Sequence, residues 1–501
     1  MDMDDDACYR AIETRDRRFD GRLFVGVTTT GIYCRPFCPA PTPKRTNVRF
    51  FNTAAAAQEA GFRPCLRCRP ETSPELAFWR GMSNTVSRGL RLIEAGALDD
   101  GTVEALASRL GIGERQLRRL FKQYLGASPV SIAQTRRILL AKQLIQDTRL
   151  SMTEIAGAAG FGSTRRFNET FRKLFGRPPG AIRRAGMADE APGVAGAVVV
   201  KLGYRPPYDW EAILTFLRGQ AIPGVEAVTR DRYARTISIG EEHGTLIVES
   251  AEADCLKATI CFPNLKRLPS IIARVRRVFD LAADPSAIEL HLSQDPMLKP
   301  LVAARPGLRV PGAWDGFELA VRAVLSQRTA IPAASQLAGK LASSYGKTAV
   351  DAAALDGGLT HLFPTPQELV GADFAALGIP AGTRKALAAL TAVMVADPSI
   401  FSARRSLDEA MAQLRSLVGI DEWTAQNIAM REMREPDAFP LADAGVMEAM
   451  RKACGTPATA RALLARAERW RPWRAYAAVH LWASTCDADA TREVFDDQQA
   501  A

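Results

Sequence analysis

Two stretches with paired cysteines decide how this chain is organised: Cys34-Arg35-Pro36-Phe37-Cys38 and, twenty-six residues later, Cys65-Leu66-Arg67-Cys68. Each pair can come from a single turn, so the four thiolates can close around one tetrahedral zinc ion. Such a site holds together a segment that is too short to build its own hydrophobic core. The spacing predicts one bound zinc ion, and a purely structural zinc finger remains the alternative.

Three segments around these cysteines are distinctive: Thr30-Gly31-Ile32-Tyr33-Cys34-Arg35-Pro36-Phe37-Cys38, Lys44-Arg45-Thr46-Asn47-Val48 and Gly61-Phe62-Arg63-Pro64-Cys65-Leu66-Arg67-Cys68. Together they closely resemble the zinc domain of Ada, the bacterial alkylation sensor. In that family the first of four zinc-bound thiolates irreversibly takes a methyl group from a methyl phosphotriester in DNA. The resemblance implies that Cys34 is this nucleophile and that the zinc ligands are Cys34, Cys38, Cys65 and Cys68.

The chemistry implied for Cys34 is physically reasonable. Zinc keeps a cysteine deprotonated at neutral pH, and a thiolate is strongly nucleophilic toward a methyl carbon. Methylation removes one negative charge from a basic surface, which reduces repulsion from DNA phosphates. The affinity of the protein for DNA therefore rises when it has repaired a methylated phosphate. The side chains that could contact phosphate are Arg35, Lys44, Arg45, Arg63, Arg67 and Arg69. A solvated basic face would contain the same residues, and Pro41 stands where the family prototype is expected to carry an arginine.

Length and composition limit the possible function classes. With 501 residues the chain predicts three or four domains. Its formal net charge of +10 suits a polyanionic partner, either nucleic acid or an acidic membrane surface. No apolar run approaches the roughly 20 residues of a membrane span, and the acidic start of the chain is unlike a signal peptide. We therefore expect a cytoplasmic, nucleoid-associated monomer without a membrane partner, whose scattered cysteines stay reduced.

Helix-turn-helix spacing occurs twice beyond a short predicted linker at residues 70–75. Between residues 103 and 121 the apolar side chains fall on one face of two helices, with Gly111 at the turn. The pattern returns between residues 155 and 175, and a helical stretch at residues 130–145 joins the two copies. An ordinary helical bundle would show the same periodicity for one copy alone.

The second copy ends in Phe171-Arg172-Lys173-Leu174-Phe175-Gly176-Arg177-Pro178-Pro179, which resembles the end of an AraC-type DNA-binding domain. The resemblance covers about residues 84–184. It implies that residues 114–122 and 163–173 enter major grooves of DNA. The candidate base or phosphate contacts are Arg115, Gln116, Arg118, Arg165 and Arg166.

The residue pattern of the chain changes after an Ala-, Gly- and Pro-rich break at residues 185–196. Three β-branched runs, with helical patterns at residues 210–217 and 271–279, predict an α+β domain. Its beginning and its exit, Tyr204-Arg205-Pro206-Pro207-Tyr208-Asp209-Trp210 and Ala304-Arg305-Pro306-Gly307-Leu308-Arg309-Val310-Pro311-Gly312, resemble the N-terminal half of 3-methyladenine DNA glycosylase II, known as AlkA. From there to about residue 489 the pattern is helical.

The helical part carries Leu417-Val418-Gly419-Ile420-Asp421-Glu422-Trp423-Thr424-Ala425 and then Phe439-Pro440-Leu441-Ala442-Asp443. These segments resemble the phosphate-binding hairpin and the catalytic segment of helix-hairpin-helix glycosylases, and residues 469–477 continue the AlkA resemblance. The resemblance spans about residues 197–489 and implies that Asp443 is catalytic. A fixed carboxylate can stabilise oxocarbenium charge on the sugar or direct water. Asp443 could instead only cap the helix that follows it.

The same resemblance implies an aromatic base pocket and a set of DNA contacts. The implied pocket residues are Trp423, Trp482, Tyr476 and Phe216. Their rings can stack on a cationic alkylated purine, although core packing is an equal alternative for Tyr476. The implied DNA contacts are Gln327, Arg328, Gly419 and Asp421.

Several positions depart from the glycosylase pattern. Asp421 replaces the second hairpin glycine, and Arg328 replaces the apolar wedge that fills the gap left by a flipped base. Trp423 stands where lyase-type relatives carry a lysine, so no Schiff base and no strand cleavage are expected. No cysteine follows Cys486, which excludes the iron–sulfur cluster of some relatives.

The sequence therefore predicts a multidomain, mainly α protein with four parts. These are an Ada-type zinc-bound α/β domain (residues 1–80), an AraC-type double helix-turn-helix all-α domain (84–184), an α+β, TBP-like AlkA N-terminal domain (197–305) and an all-α helix-hairpin-helix glycosylase domain (306–492). The sequence also lacks the Pro-Cys-His-Arg signature of a guanine methyl-acceptor domain.

The predicted function is that of a bifunctional adaptive-response protein acting on double-stranded DNA. Cys34 would accept methyl groups suicidally and switch on transcription with RNA polymerase, and the C-terminal half would act as a monofunctional DNA-3-methyladenine glycosylase II. The rival interpretation is a DNA-binding regulator whose glycosylase-like half is inactive. A zinc-stabilised structural adaptor is a third possibility, which leaves the two DNA-binding resemblances unexplained.

Overall fold

The computed structural model describes residues 4–74, 84–184, 197–349, 358–398, 400–401, 407–441, 443–454 and 459–485. The chain folds into two compact units. The first comprises Met1–Arg205, Ile239–Arg276 and Leu281–Ala283, and the second comprises Pro206–Ser238, Arg277–Asp280 and Asp284–Ala501. The predicted break at residues 185–196 and Cys486 lie outside the described residues.

The elements of the first 205 residues are α1 (Asp5–Glu13), β1 (Phe24–Val27), β2 (Ile32–Cys34), β3 (Val48–Phe51), α2 (Ala54–Glu59), β4 (Arg63–Pro64), α3 (Asn84–Glu94), α4 (Val103–Leu110), α5 (Glu114–Leu125), α6 (Pro129–Asp147), α7 (Met152–Ala158), α8 (Thr164–Phe175), α9 (Pro179–Arg184) and β5 (Ala197–Gly203). The later elements are α10 (Trp210–Gly219), β6 (Glu226–Val228), β7 (Arg232–Ile239), β8 (Glu242–Ala251), β9 (Cys255–Cys261), α11 (Leu268–Val278), α12 (Pro285–Leu292), α13 (Leu298–Ala304), α14 (Gly316–Ser326), α15 (Ile331–Tyr345), α16 (Ala381–Ala396), α17 (Leu407–Arg415), α18 (Glu422–Arg431), α19 (Ala444–Cys454), α20 (Ala460–Ala467) and helical residues 474–485.

The N-terminal segment forms a small sheet with strand order β3-β1-β2-β4. Successive residues of a strand point to opposite faces, so β1 serves two apolar clusters. Val25 packs with α1 on one face, and Phe24 packs with Tyr33 and α2 on the other. β2 and β4 run parallel, with Tyr33 paired to Pro64. This pairing sets where both cysteine pairs emerge.

Two helix-turn-helix units follow, as the spacing predicts. In the first, α4 ends at Gly111, whose φ of +73° allows the tight turn into α5. In the second, α7 begins with a capping box between Ser151 and Glu154, and α8 places three phenylalanines in the core. The long helix α6 joins the units. The predicted mainly α fold with this paired motif is confirmed.

The linker predicted at residues 70–75 is instead a packed connector as far as it is described. Pro70–Thr72 form a buried 3-10 turn. The Glu71 carboxylate lies 2.5 Å from the Lys142 ammonium on α6, and both side chains are almost fully enclosed. Pro-containing stretches break helices and strands, but charge pairing with a residue far along the chain orders this one.

The β-rich region contains more strands than the sequence patterns predict. In the first unit, β9 pairs antiparallel with both β5 and β8, so that Ala258 faces Val200 on one side and Val248 on the other. In the second unit, β6 and β7 form an antiparallel pair. Neither β6 nor β9 stands out as a β-branched run in the sequence, since β6 is only three residues long and β9 reads Cys-Leu-Lys-Ala-Thr-Ile-Cys.

The second unit is otherwise helical, and α14 lies at its centre with most of its residues buried. A turn at residues 416–421 separates α17 from α18, and α18 is followed by the loop that leads to Asp443. These elements position the candidate active site. Across the described residues, no helix combines the length and apolar character that crossing a membrane requires.

Candidate metal centre and candidate active site

The four cysteines meet at one end of the small sheet. Cys34 is the last residue of β2 and Cys65 directly follows β4, which is its parallel neighbour. Cys38 and Cys68 lie one turn further along each segment. The four sulfur atoms lie within 4.8 Å of one another. The parallel pairing of two short strands therefore assembles the site that the spacing predicts.

The donor set fits a zinc ion. Tetrahedral coordination with Zn–S bonds of about 2.3 Å separates sulfur atoms by about 3.8 Å, which is compatible with this cluster. The backbone N–H of Arg35 donates to Cys68 Sγ and that of Arg67 to Cys65 Sγ, each at 3.3 Å. Such N–H···S contacts stabilise negative charge on sulfur. Four thiols with backbone donors form a zinc-type site.

The two cysteine pairs differ in exposure. Cys65 and Cys68 are buried, whereas Cys34 and Cys38 are half-buried. A large substrate such as a DNA backbone can therefore reach the first pair more readily than the second. This asymmetry is consistent with the position of the nucleophile predicted at Cys34.

Arg35, which is predicted as a phosphate contact, has its side chain paired inside the first unit. Its guanidinium forms a bidentate ion pair with Asp20 and donates to Thr72 Oγ1 at 2.7 Å. Only about 10% of its side chain is exposed. Its charge is neutralised inside the first unit because it shares a buried site with a carboxylate, which argues against the phosphate contact.

The other basic residues near the metal centre fall into two groups. Arg69 is paired with Glu71 and Asp147, and Arg45 is paired with Asp5 at 3.2 Å, so the acidic N-terminus partly neutralises this face. Lys44 and Arg67 are exposed, and Arg63 is half-buried. Phosphate contacts by Lys44, Arg67 and Arg63 stay predictions.

The second helix of each helix-turn-helix unit presents the predicted polar face. On α5 and α8 the exposed residues include Arg115, Gln116, Arg118, Arg165 and Arg166. Arg118 and Arg165 each pair with a glutamate one helical turn away on their own helix. Exposed pairs of this kind contribute little and exchange readily for a phosphate contact. All five side chains are exposed on these two helices, and their contacts with DNA stay predictions.

Asp443 is held by four N–H donors. Its Oδ1 accepts from the backbone of Gly445 at 2.9 Å and Val446 at 3.1 Å, which caps α19. The indole N–H of Trp482 donates to the same oxygen at 2.7 Å, and that of Trp423 donates to Oδ2 at 2.9 Å. Capping and a placement between two indoles occur together. The orientation of the carboxylate is therefore fixed.

The predicted pocket residues separate in the structure. Phe216 on α10 stacks near Trp482, with ring centroids 6.4 Å apart, and so joins the Asp443 site. Tyr476 is buried elsewhere and donates its hydroxyl to Asp280 at 2.8 Å. Burial raises the pKa of the Tyr476 hydroxyl well above its usual value of 10. Tyr476 therefore occupies the position of a core residue, which is the alternative interpretation given for it above.

Sequence reasoning missed Arg431. This buried residue at the end of α18 places its guanidinium 5.0 Å from the centre of the Phe216 ring. It also donates to the Gln220 side chain and to the carbonyl of Pro311, both at 2.9 Å. Burial, followed by repulsion from Arg322, lowers the pKa of Arg431 to about 10. The sequence signal for Arg431 is its spacing of eight residues from Trp423, which places both side chains on the same face of one helix.

The predicted DNA-binding hairpin contains a tight turn at Gly419. Gly419 has a φ of +84°, and a Cβ there would lie 2.1 Å from the Cβ of Ala386, so glycine is required. Asp421 caps α18 by accepting the N–H of Thr424 at 2.8 Å. Gln327 donates to the carbonyl of Gly419 at 2.8 Å and thereby braces the hairpin from inside.

Arg328, the residue in the predicted wedge position, is exposed at the end of α14. Its neighbour Gln327 points into the hairpin, so the two predicted DNA contacts face different surroundings. Gln327 supports the hairpin, and its direct contact with DNA stays a prediction.

Comparison with known proteins extends these observations. Three family models match the chain: the metal binding domain of Ada over residues 7–71, a helix-turn-helix domain over residues 106–185 and the AlkA N-terminal domain over residues 199–315. The "Probable bifunctional transcriptional activator/DNA repair enzyme AlkA" of Mycobacterium tuberculosis is 41% identical over 484 residues, which cover 96% of this chain and 97% of the relative.

Two further proteins each match 56% of the chain. DNA-3-methyladenine glycosylase 2 of Escherichia coli is 35% identical over 289 residues, which cover 56% of this chain and 95% of the relative. The solved structure of 3-methyladenine DNA-glycosylase from Archaeoglobus fulgidus matches with a TM-score of 0.50 and 17% identity, covering 56% of this chain and 97% of that one. The structural match shows the fold alone.

A zinc-type domain, a paired helix-turn-helix and a glycosylase fold in one chain define a fusion of a DNA-damage regulator with a DNA repair enzyme. The identity extends over nearly the whole length of both proteins. The chain therefore belongs to the family of bifunctional transcriptional activator/DNA repair enzymes of the AlkA type.

Proposed function

We propose that this protein both senses DNA methylation and excises alkylated purines, with 3-methyladenine as the typical released base. The single observation that carries the excision half is the Asp443 carboxylate held between the indole N–H groups of Trp423 and Trp482. The regulatory half rests on the half-buried Cys34 in a four-thiol site and on the exposed basic faces of α5 and α8.

The excision chemistry follows from charge. An alkylated purine in DNA is cationic, so it leaves as a neutral base when its glycosidic bond breaks, and positive charge develops on the sugar. A carboxylate that is already oriented stabilises this charge without reorganising, and it directs a water molecule to C1′. Phe216 and Trp482 offer ring faces to a flipped cationic base. The products are the free base and an abasic site in an unbroken strand.

The methyl transfer is a displacement at carbon. Zinc, when bound by Cys34, Cys38, Cys65 and Cys68, supplies the positive charge that keeps these sulfurs deprotonated. Cys34 Sγ forms a bond to the methyl carbon while the bond from that carbon to the phosphotriester oxygen breaks. The DNA regains an anionic phosphodiester, and Cys34 becomes a neutral thioether. Reduced repulsion then strengthens promoter binding, where RNA polymerase is the expected partner.

Base release from methylated duplex DNA by the intact chain tests the excision proposal. Asp443→Asn keeps the size and most hydrogen bonds of the side chain but removes its charge, so it should abolish release while DNA binding is kept or strengthened. Asp373→Asn is a matched control, because Asp373 is exposed and also accepts a backbone N–H, from Ala375 at 3.0 Å. It should release bases at the parental rate.

The alternative, a regulator with an inactive glycosylase-like half, predicts no base release from the parental protein. Release by Asp443→Asn at the parental rate would instead overturn the assignment of the aspartate. For the sensor half, DNA with labelled methyl phosphotriesters should label one peptide, and Cys34→Ala should abolish the label. Label transfer to another cysteine in the parental protein would contradict the assignment of Cys34.

A further inference from the structure

A closed series of side-chain contacts begins and ends on helix α18. Trp423, near its start, donates to Asp443, which also accepts from Trp482. Trp482 lies against Phe216, and Phe216 lies under the guanidinium of Arg431 at the end of the same helix. The series therefore encloses the stretch of α18 between Trp423 and Arg431.

Asn427 occupies the middle of that stretch. Residues four apart on a helix lie above one another, so Trp423, Asn427 and Arg431 form a single stripe. Both ends of the stripe take part in this series of contacts, so the side chain of Asn427 between them is directed toward the same group of residues. The side chain is half-buried, and its Oδ1 is closed off without a hydrogen-bond partner among the described residues.

A closed-off amide oxygen without a donor carries a desolvation cost that a ligand can recover. Asn427 Oδ1 is an acceptor, so the partner that it lacks is a hydrogen-bond donor. The amide also offers its own N–H beside that oxygen, and such an adjacent pair matches the N6–H and N7 edge of adenine. Guanine presents two acceptors, O6 and N7, at the same edge and would leave Oδ1 facing a carbonyl. Contact between Oδ1 and an extruded base requires the surrounding side chains to separate.

We propose that Asn427 is a specificity-determining residue that hydrogen-bonds the N6 and N7 edge of the flipped base and so favours adenine-type lesions. This inference rests on the proposed excision function. Methylation at N3 leaves the N6 and N7 edge of adenine intact. The amide therefore adds base selection to an otherwise aromatic site, while Asp443 acts at the sugar.

The test compares two bases released from one sample of methylated duplex DNA by the intact chain. 3-Methyladenine and 3-methylguanine carry the methyl group at the same ring position and differ at the edge that Asn427 would read. Asn427→Leu preserves the approximate shape of the side chain and removes both hydrogen bonds. We expect single-turnover release of 3-methyladenine to fall about tenfold, and release of 3-methylguanine to change by less than about twofold.

Two further measurements separate base reading from a structural role. Asn427→Leu should leave thermal stability equal or higher, since it removes an unpaired buried oxygen, and should leave affinity for abasic DNA unchanged because no base is present. Gln413→Leu, which removes a half-buried amide from the neighbouring helix α17, should change none of these quantities.

Equal losses for both bases, a loss of stability or abasic-DNA affinity that parallels the loss of release, or no change at all would each overturn the role of Asn427. In all of these cases the parental protein still releases base, so the proposed excision function stands. A parental protein that releases neither base would overturn that function and this inference with it.

Discussion

Replacing Glu71 by glutamine should destabilise the first unit much more than replacing its partner Lys142 by methionine. The Lys142 side chain is fully buried, and Glu71 Oε2 lies 2.5 Å from its ammonium. The other oxygen of Glu71 accepts from Arg69 Nε at 3.0 Å. Arg69 is 28% exposed and also pairs with Asp147 at 2.7 Å. Glu71 therefore has two cationic partners, whereas Glu71 is the one carboxylate that contacts Lys142 among the described residues.

The magnitudes follow from what each change leaves behind. Glu71→Gln leaves a buried ammonium without a counter-charge, and breaking a buried pair in this way costs about 3–5 kcal/mol of unfolding free energy. Lys142→Met keeps the hydrocarbon stem and leaves Glu71 paired with Arg69, so the loss should be about 1–2 kcal/mol. Glu71→Leu combined with Lys142→Met removes both buried charges and should recover most of the stability.

Urea unfolding of the intact chain, with hydrogen exchange read separately for α6, measures these losses within the first unit. The exposed pair of Lys257 and Glu249, 2.8 Å apart, supplies the control: Glu249→Gln should cost at most about 0.5 kcal/mol. A loss below about 1 kcal/mol for Glu71→Gln, or equal losses for the two single variants, would refute the reasoning.

Four further outcomes are expected. Cys65→Ser, or removal of the metal by a chelator, should unfold the N-terminal segment and leave the second unit folded, as seen by circular dichroism and proteolysis; retention of that segment's structure would contradict this. One methyl group on Cys34 should raise specific DNA affinity about tenfold at low salt, and equal affinities across a salt series would exclude the sensor role. Burial lowers the pKa of His480 from its ordinary 6.5 to about 4. Because the unfolded chain binds this proton more readily than the folded chain, the second unit should lose about 3 kcal/mol of unfolding free energy as the pH falls from 6.5 to 4. His480→Gln should reduce the dependence of the denaturation midpoint on pH. Arg328→Ala should weaken capture of an extruded base, measured with a fluorescent base analogue, without slowing bond cleavage in single-turnover assays, and a slowed cleavage step would argue against a wedge role.

Local patterns predicted the elements that are determined locally. The helices of the paired motif follow from apolar spacing and from Gly111 at the first turn, and α5 and α8 begin within one residue of their predicted starts. The spacing predicted the two cysteine pairs, because short-range turns place each pair, while the parallel pairing of β2 and β4 brings the pairs together. The strand β9 was missed because it carries few β-branched residues, and its pairing with β5 and β8 is decided by residues far along the chain.

Charges that find partners at long range are not visible in the sequence. Arg35 is predicted as a phosphate contact, and the structure pairs it with Asp20, fifteen residues earlier. Residues 70–75 looked like a linker, yet Glu71 meets a lysine seventy-one residues later. A basic residue near a motif has the same appearance in the sequence whether it is exposed or paired. Only the tertiary structure separates the exposed Lys44 and Arg67 from the buried Arg35.

The hairpin shows how a departure from a family pattern can preserve shape while changing charge. Glycine is required at Gly419 by its positive φ and by its contact with Ala386, and that residue is present. At the second position the backbone of Asp421 is extended, with φ of −83° and ψ of 176°, so a side chain is tolerated and caps α18. The cap uses the N–H of Thr424, and it places a carboxylate at a helix N-terminus, the position at which the resemblance predicts a phosphate contact. If the hairpin contacts DNA as predicted, this carboxylate should make it attract phosphate less strongly than an all-glycine hairpin would, and we expect cationic residues such as the exposed Arg328 to supply more of the affinity.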